Sequence, residues 1–109
     1  MSAKPVVARP LAQRDIDEAL AHYGNEGGAE VALRFIDAVA RAFGRVGAQP
    51  GAGSARHAHE LGLEGLRAWP VPRFPYLVFY VERADHIDVW RVLHAKRDIP
   101  AWMLDPDGS

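Results

Sequence analysis

The chain's best equipment for chemistry stands where its last apolar run ends, in His94, Lys96 and Arg97. A histidine in that place titrates near neutral pH and could act as a general acid or base, or it could cap a sheet edge by hydrogen bonding. The cations around it are almost all arginines: Arg67, Arg73, Arg83, Arg91 and Arg97 follow Leu66, with Lys96 the one lysine. Arginine favours planar, bidentate or stacked contacts, so the bias fits a recognition surface as well as it fits solvated charges between strands. Two other constellations carry less. His57-Ala-His59-Glu60 offers metal-ligating side chains, but two histidines at i and i+2 with no third ligand at a recognisable spacing read as solvated loop residues. The glycines of Gly47 to Gly53, GAQPGAG, suggest a phosphate loop, yet no Gly-Lys-Ser/Thr follows and no strand-loop-helix order frames them. No metal or cofactor is expected.

Thirteen Lys and Arg against fourteen Asp and Glu give a formal net charge of −1. No long-range field draws in a polyanion, which argues against direct nucleic-acid binding by the chain alone. The 109 residues include no cysteine, so neither disulfides nor a thiolate zinc site can hold the fold, as suits a reducing cytosol. The length predicts one domain, residues 1–109, with a single packed core. No apolar run approaches the roughly 20 residues of a membrane span, and MSAKPVVARP lacks the apolar centre of a signal peptide. The expectation is a soluble, unprocessed, cytoplasmic protein.

The apolar runs describe the scaffold that must position these residues. Lys4 to Arg9 is a short strand candidate ended by Pro10, which is well placed as a first helical residue. Leu11, Ile16, Ala19, Leu20 and Tyr23 predict an amphipathic helix from Leu11 to Tyr23, stopped by the Gly24-Asn25-Glu26-Gly27-Gly28 cluster. Ala32, Phe35, Ile36, Val39, Ala40, Phe43 and Val46 predict a second helix from about Ala29 to Val46, with Phe35, Ile36, Val39 and Phe43 buried. Gly47 to Gly53 reads as a loop. Ala68 to Val71, Tyr76 to Val81 and Ile87 to Leu93 then form a β-meander, with Pro72-Arg73-Phe74-Pro75 and Glu82-Arg83-Ala84-Asp85 as its connections. The fold class is α+β: a two-layer sandwich in β-α-α-β-β-β order, an αα-hairpin on a largely antiparallel sheet, with a short C-terminal helix or turn. The strand Tyr76 to Val81 is apolar on both faces. Either Tyr76, Val78 and Tyr80 or Leu77, Phe79 and Val81 would be left partly exposed for a protein partner, unless Ile99 to Leu104, with Trp102 and Met103, folds back over them. Asp105 to Ser109 reads as a frayed tail.

From Val6 to Trp102 the chain resembles the RelE/ParE superfamily of toxins from bacterial type II toxin–antitoxin systems. The order of elements is shared, and LGLEGLRAWPVPRFPYLVFYVERADHIDVWRVLHAKRDIPAW is similar to the ParE-like branch: a Leu-Arg strand start, a Tyr-Leu-Val-Phe-Tyr central strand and a closing Leu-His-x-x-Arg-Asp-Ile. That branch implies an interaction toxin that poisons DNA gyrase and arrests growth, needs no catalytic residue of its own, and is neutralised by a cognate ParD-like antitoxin. Target contacts would then come from His94, Lys96, Arg97 and Trp102, and antitoxin contacts from Tyr76, Val78 and Tyr80. The RelE-like branch implies the alternative, a ribosome-dependent messenger-RNA endoribonuclease, for which Arg67, Arg73, Arg91 and His94 would be the catalytic set. That branch carries an arginine at the start of the central strand and a tyrosine near the C-terminus. Here Tyr76 and Pro100 or Ala101 stand in those places, which argues for an interaction toxin rather than an enzyme.

Overall fold

The structure, a computed structural model, describes residues 3–97 and 99–104. Strand β1 (Val6–Ala8) leads into α1 (Pro10–Ala48), and a 3-10 turn at Pro50–Ala52 is followed by the short α2 (Arg56–Leu61). Three longer strands come next, β2 (Leu66–Pro70), β3 (Tyr76–Glu82) and β4 (Ile87–His94), before α3 (Ile99–Leu104). The sheet order is β1-β4-β3-β2, antiparallel except that β1 runs parallel to β4. The α+β two-layer expectation holds, and the predicted tail beyond Leu104 lies outside the described residues.

The glycine cluster acts differently from its sequence reading. Helix geometry continues through Tyr23 and the next four residues, and the one break inside α1 falls at Gly28, with φ 83° and ψ −180°. A positive φ of that size is open to glycine and strained for a residue with a Cβ, so one glycine makes the corner. The chain doubles back there, bringing Tyr23 of the first arm onto Phe35 of the second with ring centroids 5.2 Å apart.

Both arms cover one face of the sheet. Ala12, Ile16 and Ala19 from the first arm and Phe35, Ala38, Val39, Ala42 and Val46 from the second pack on Val78, Tyr80, Ile87, Val89 and Val92. Phe43 is only half-buried, and Ile36 is 41% exposed rather than buried as its stripe predicted. The broad stripe read from the sequence joins two faces, since a period of 3.6 lets Ile36 sit beside the core row without entering it.

The second face is also closed. Leu66, Ala68, Phe79, Val81, Leu93 and Ile99 form a second apolar cluster, with Leu61, Trp102 and Met103 packed against it. The C-terminal segment folds back over the sheet, and α2, where the sequence predicts a loop, packs beside it through Ala58 and Leu61. Trp90 has no partner in the register, because Phe79 faces Arg91 and Tyr80 faces Val89. This bulge reverses which residues of β4 face the helices from that point on.

Candidate functional site

The end of β4 emerges into a cleft of about 290 Å³ built by three elements. The first arm of α1 contributes Asp15, Glu18 and His22, the sheet contributes Tyr76 and His94, and the C-terminal segment contributes Arg97 and Trp102. Three of the four residues expected to contact a target therefore share one cleft. Lys96 is exposed beside it.

The anchor of the cleft is an ion pair that sequence reasoning missed. Arg91 donates from Nε and Nη2 to the two carboxylate oxygens of Asp15 at 2.8 and 2.7 Å, with the side chains 4% and 7% exposed. β1 pairs only with Ile87 to Val89, so β4 runs on without a neighbour on that edge. Asp15 takes the place of the missing strand and accepts the Val92 N–H at 3.0 Å. Arg91 Nη1 then reaches the Trp102 carbonyl at 2.7 Å, tying α3 to the same point. A buried pair of this kind contributes position more than net stability, because desolvating two charges offsets much of their attraction.

What remains around the cleft suits binding. His94 Nδ1 accepts the Lys96 backbone N–H at 3.1 Å, which leaves the hydrogen of the neutral ring on Nε2. Its ring meets Tyr76 edge-on, centroids 5.2 Å apart. Burial pushes the Tyr76 phenol up, opposed by the Arg97 charge and reinforced by Asp15, so the phenol keeps its proton at neutral pH. Arg97 stacks over the Trp102 ring at 4.2 Å, the planar cation contact for which arginine is suited.

The alternative catalytic set does not assemble. Arg91 is spent on Asp15, and Arg67 donates to the Gly53 carbonyl at 2.8 Å beside the outer strand β2. Arg73, at φ 68° in the β2–β3 turn, lines a different groove with Arg34 and Arg41. Only His94 of the four faces the cleft. Val78 and Tyr80, expected to meet a partner, are 0% exposed beneath α1, and only Tyr76 keeps some surface. His59 is exposed as expected, whereas His57 packs edge-on against Phe79 at 5.1 Å. Among the described residues no group of three His, Cys, Asp or Glu could hold a metal ion, and no helix is long and apolar enough to cross a membrane.

Comparison with known proteins agrees with the superfamily resemblance. A solved structure described as the chromosomal ParDE TA system from P. aeruginosa superposes with a TM-score of 0.70 at 20% identity, covering 84% of this chain and 96% of that one. At that identity the likeness speaks for the fold. No curated protein matches the chain. The family model of the ParE toxin of the type II toxin–antitoxin system parDE matches residues 6–99, from β1 to the start of α3, and the chain belongs to that ParE toxin family.

Proposed function

We propose that this toxin acts by binding and inhibiting DNA gyrase, through the surface around the β4 exit, and that a cognate ParD-like antitoxin neutralises it. The observation that carries the reading is the separation of the basic residues: Arg67, Arg73 and Arg91 are each directed elsewhere, while His94, Arg97 and Trp102 converge on one cleft. Phosphodiester cleavage needs donors gathered on the phosphorane oxygens, and the loss of one such donor lowers a rate by about a hundredfold to a thousandfold. A binding surface has no such requirement. It needs a stacked, preorganised patch with satisfied polar groups, and the Arg97–Trp102 stack beside His94 is of that type.

The test sets gyrase supercoiling and cleavage beside messenger-RNA stability in a translating extract. Gyrase inhibition by the wild-type chain, weakened at least about tenfold by Lys96→Ala with Arg97→Ala, is the expected result. Messenger cleavage that vanishes in His94→Ala, with gyrase unaffected, would replace this reading with the ribonuclease one.

A further inference from the structure

The connection from β2 to β3 contains a residue that its backbone does not favour. Arg73 has φ 68°, in the left-handed region, and among the described residues no other non-glycine has a positive φ. Pro72 precedes it, and the Phe74 N–H returns to the Val71 carbonyl at 3.3 Å. That is the pattern of a type II turn, with proline in its second place and a third place that glycine or asparagine fills without strain. An arginine there sets a Cβ against the backbone. Its side chain offsets none of this within the fold, since it is exposed and makes no hydrogen bond or ion pair with a described residue. The turn is nevertheless anchored. Phe74 sets its ring against Tyr23 and Phe35, centroids 4.9 and 5.2 Å away, so Arg73 stands between a proline and a packed ring. A cation displayed in this way loses little freedom when it is bound.

The place of the turn says what Arg73 meets. Tyr76 pairs with His94 at the end of β4, and the Ala95 N–H donates to the Pro75 carbonyl at 2.8 Å. The turn and the β4 exit therefore share one end of the sheet, joined by the rings of Tyr23, Phe74 and Tyr76. Arg73 lines the groove on the Phe74 side, and Arg97 lines the cleft on the Tyr76 side. Arg73, Lys96 and Arg97 have no ion-pair partner among the described residues. Of the carboxylates lining the cleft and the groove, Asp15 and Asp37 are each held by an arginine, which leaves Glu18. The surplus of free cations calls for an acidic partner. Guanidinium forks suit carboxylates in two-point contact, and a chain of net charge −1 lacks the field that gathers a nucleic acid.

We infer that Arg73 is a target-binding residue: the surface around the β4 exit continues over the β2–β3 turn, where Arg73 takes a carboxylate of an acidic protein surface. The inference rests on the proposed inhibition of gyrase. It adds to that reading a contact outside the cleft and the chemistry of what the contact meets.

The experiment compares the wild-type chain with Arg73→Gly and Arg73→Lys in melting temperature, Kd for purified gyrase and inhibition of supercoiling. Arg73→Gly removes the strain together with the guanidinium, so it should melt no lower than the wild type. It should still bind gyrase about tenfold more weakly and inhibit in proportion. Arg73→Lys keeps a charge in the same turn and should recover most of that affinity at low salt, a recovery that high salt removes. Wild-type inhibition that Arg73→Gly matches within about twofold overturns the inference and leaves the gyrase reading standing. An Arg73→Gly chain that melts several degrees below the wild type also overturns it, because the arginine would then be held for the fold. Absence of wild-type inhibition overturns both. DNA binding by the chain alone, lost in Arg73→Gly, overturns the acidic protein partner and assigns the arginine to phosphate.

Discussion

Asp15 holds Arg91 from 76 positions away and also fills the edge of β4, so its loss should reach the fold and the cleft together. Removing one member of a buried ion pair leaves the other charge uncompensated, a cost of about 3 to 5 kcal/mol. Asp15→Ala should lose that much in urea unfolding, and Asp15→Asn somewhat less, since its amide oxygen can still accept one bond. Unchanged stability in both would mean that the pair does not hold β4 and α3. A second carboxylate works nearer the surface. Asp88 receives both Nε and Nη2 of Arg9 at 2.9 and 2.8 Å, Arg83 at 3.1 Å and the Trp90 indole N–H at 3.0 Å. Burial alone would raise its carboxyl, but these bonds and the Arg9 charge outweigh it and lower the value from 3.8 to about 2. A depressed carboxylate contributes its stability fully above the unfolded value and loses it as pH falls through the folded one. Stability should therefore fall between about pH 4 and pH 2, by no more than about 2 kcal/mol, because Arg9 and Arg83 are 47% and 44% exposed and screened by water. Asp88→Asn should flatten that limb of the pH profile; a limb of the same size in the variant would assign it to other groups.

At the scale of elements, the joint between the 3-10 turn and the sheet depends on one glycine. Tyr80 donates its hydroxyl to the Pro50 carbonyl at 2.6 Å and accepts the Gly53 N–H at 3.1 Å, while a Cβ on Gly53 would collide with that hydroxyl and with the Ala68 carbonyl. Gly53→Ala should cost about 1 to 3 kcal/mol as overpacking, and Tyr80→Phe should relieve part of it in the double variant; additivity of the two would argue against the contact. Phe35→Ala, at a fully buried position, should cost about 3 to 5 kcal/mol. The meander and both helical arms were legible because their apolar periods are long and β3 is nearly continuous. α2 was not: its first residue follows Ala55 with no side-chain cap, and only the left-handed Gly62 closes it. The glycine cluster announced a corner without saying which glycine turns, since Gly24 and Gly27 tolerate helix and only Gly28 leaves it. Cleft geometry was half legible. His94 and Arg97 are neighbours in sequence, but the partnership of Arg91 with Asp15 has no local signal and depends on where β1 stops.

For the whole molecule, the sheet is covered on both faces, and the C-terminal segment belongs to the cover as much as to the proposed target surface. Ile99 is 6% exposed within the second cluster, Trp102 and Met103 pack on it, and the Trp102 carbonyl satisfies Arg91. Ending the chain before Ile99 uncovers Leu93 and its neighbours and takes a hydrogen-bond acceptor from a buried guanidinium. With about 1.5 to 3 kcal/mol for each large apolar side chain removed from its packing, the truncated chain should lose several kcal/mol. It should also bind a hydrophobic dye that the intact chain ignores. Loss of toxicity on truncation would then report unfolding as readily as loss of target contact. Lys96→Ala with Arg97→Ala separates the two, because both side chains are exposed and the apolar cover stays in place. That variant should melt within a few degrees of the wild type and still fail to arrest growth. A toxic variant would exclude the β4 exit as the target surface, and a truncated chain as stable as the wild type would show that α3 lies on the sheet without holding it.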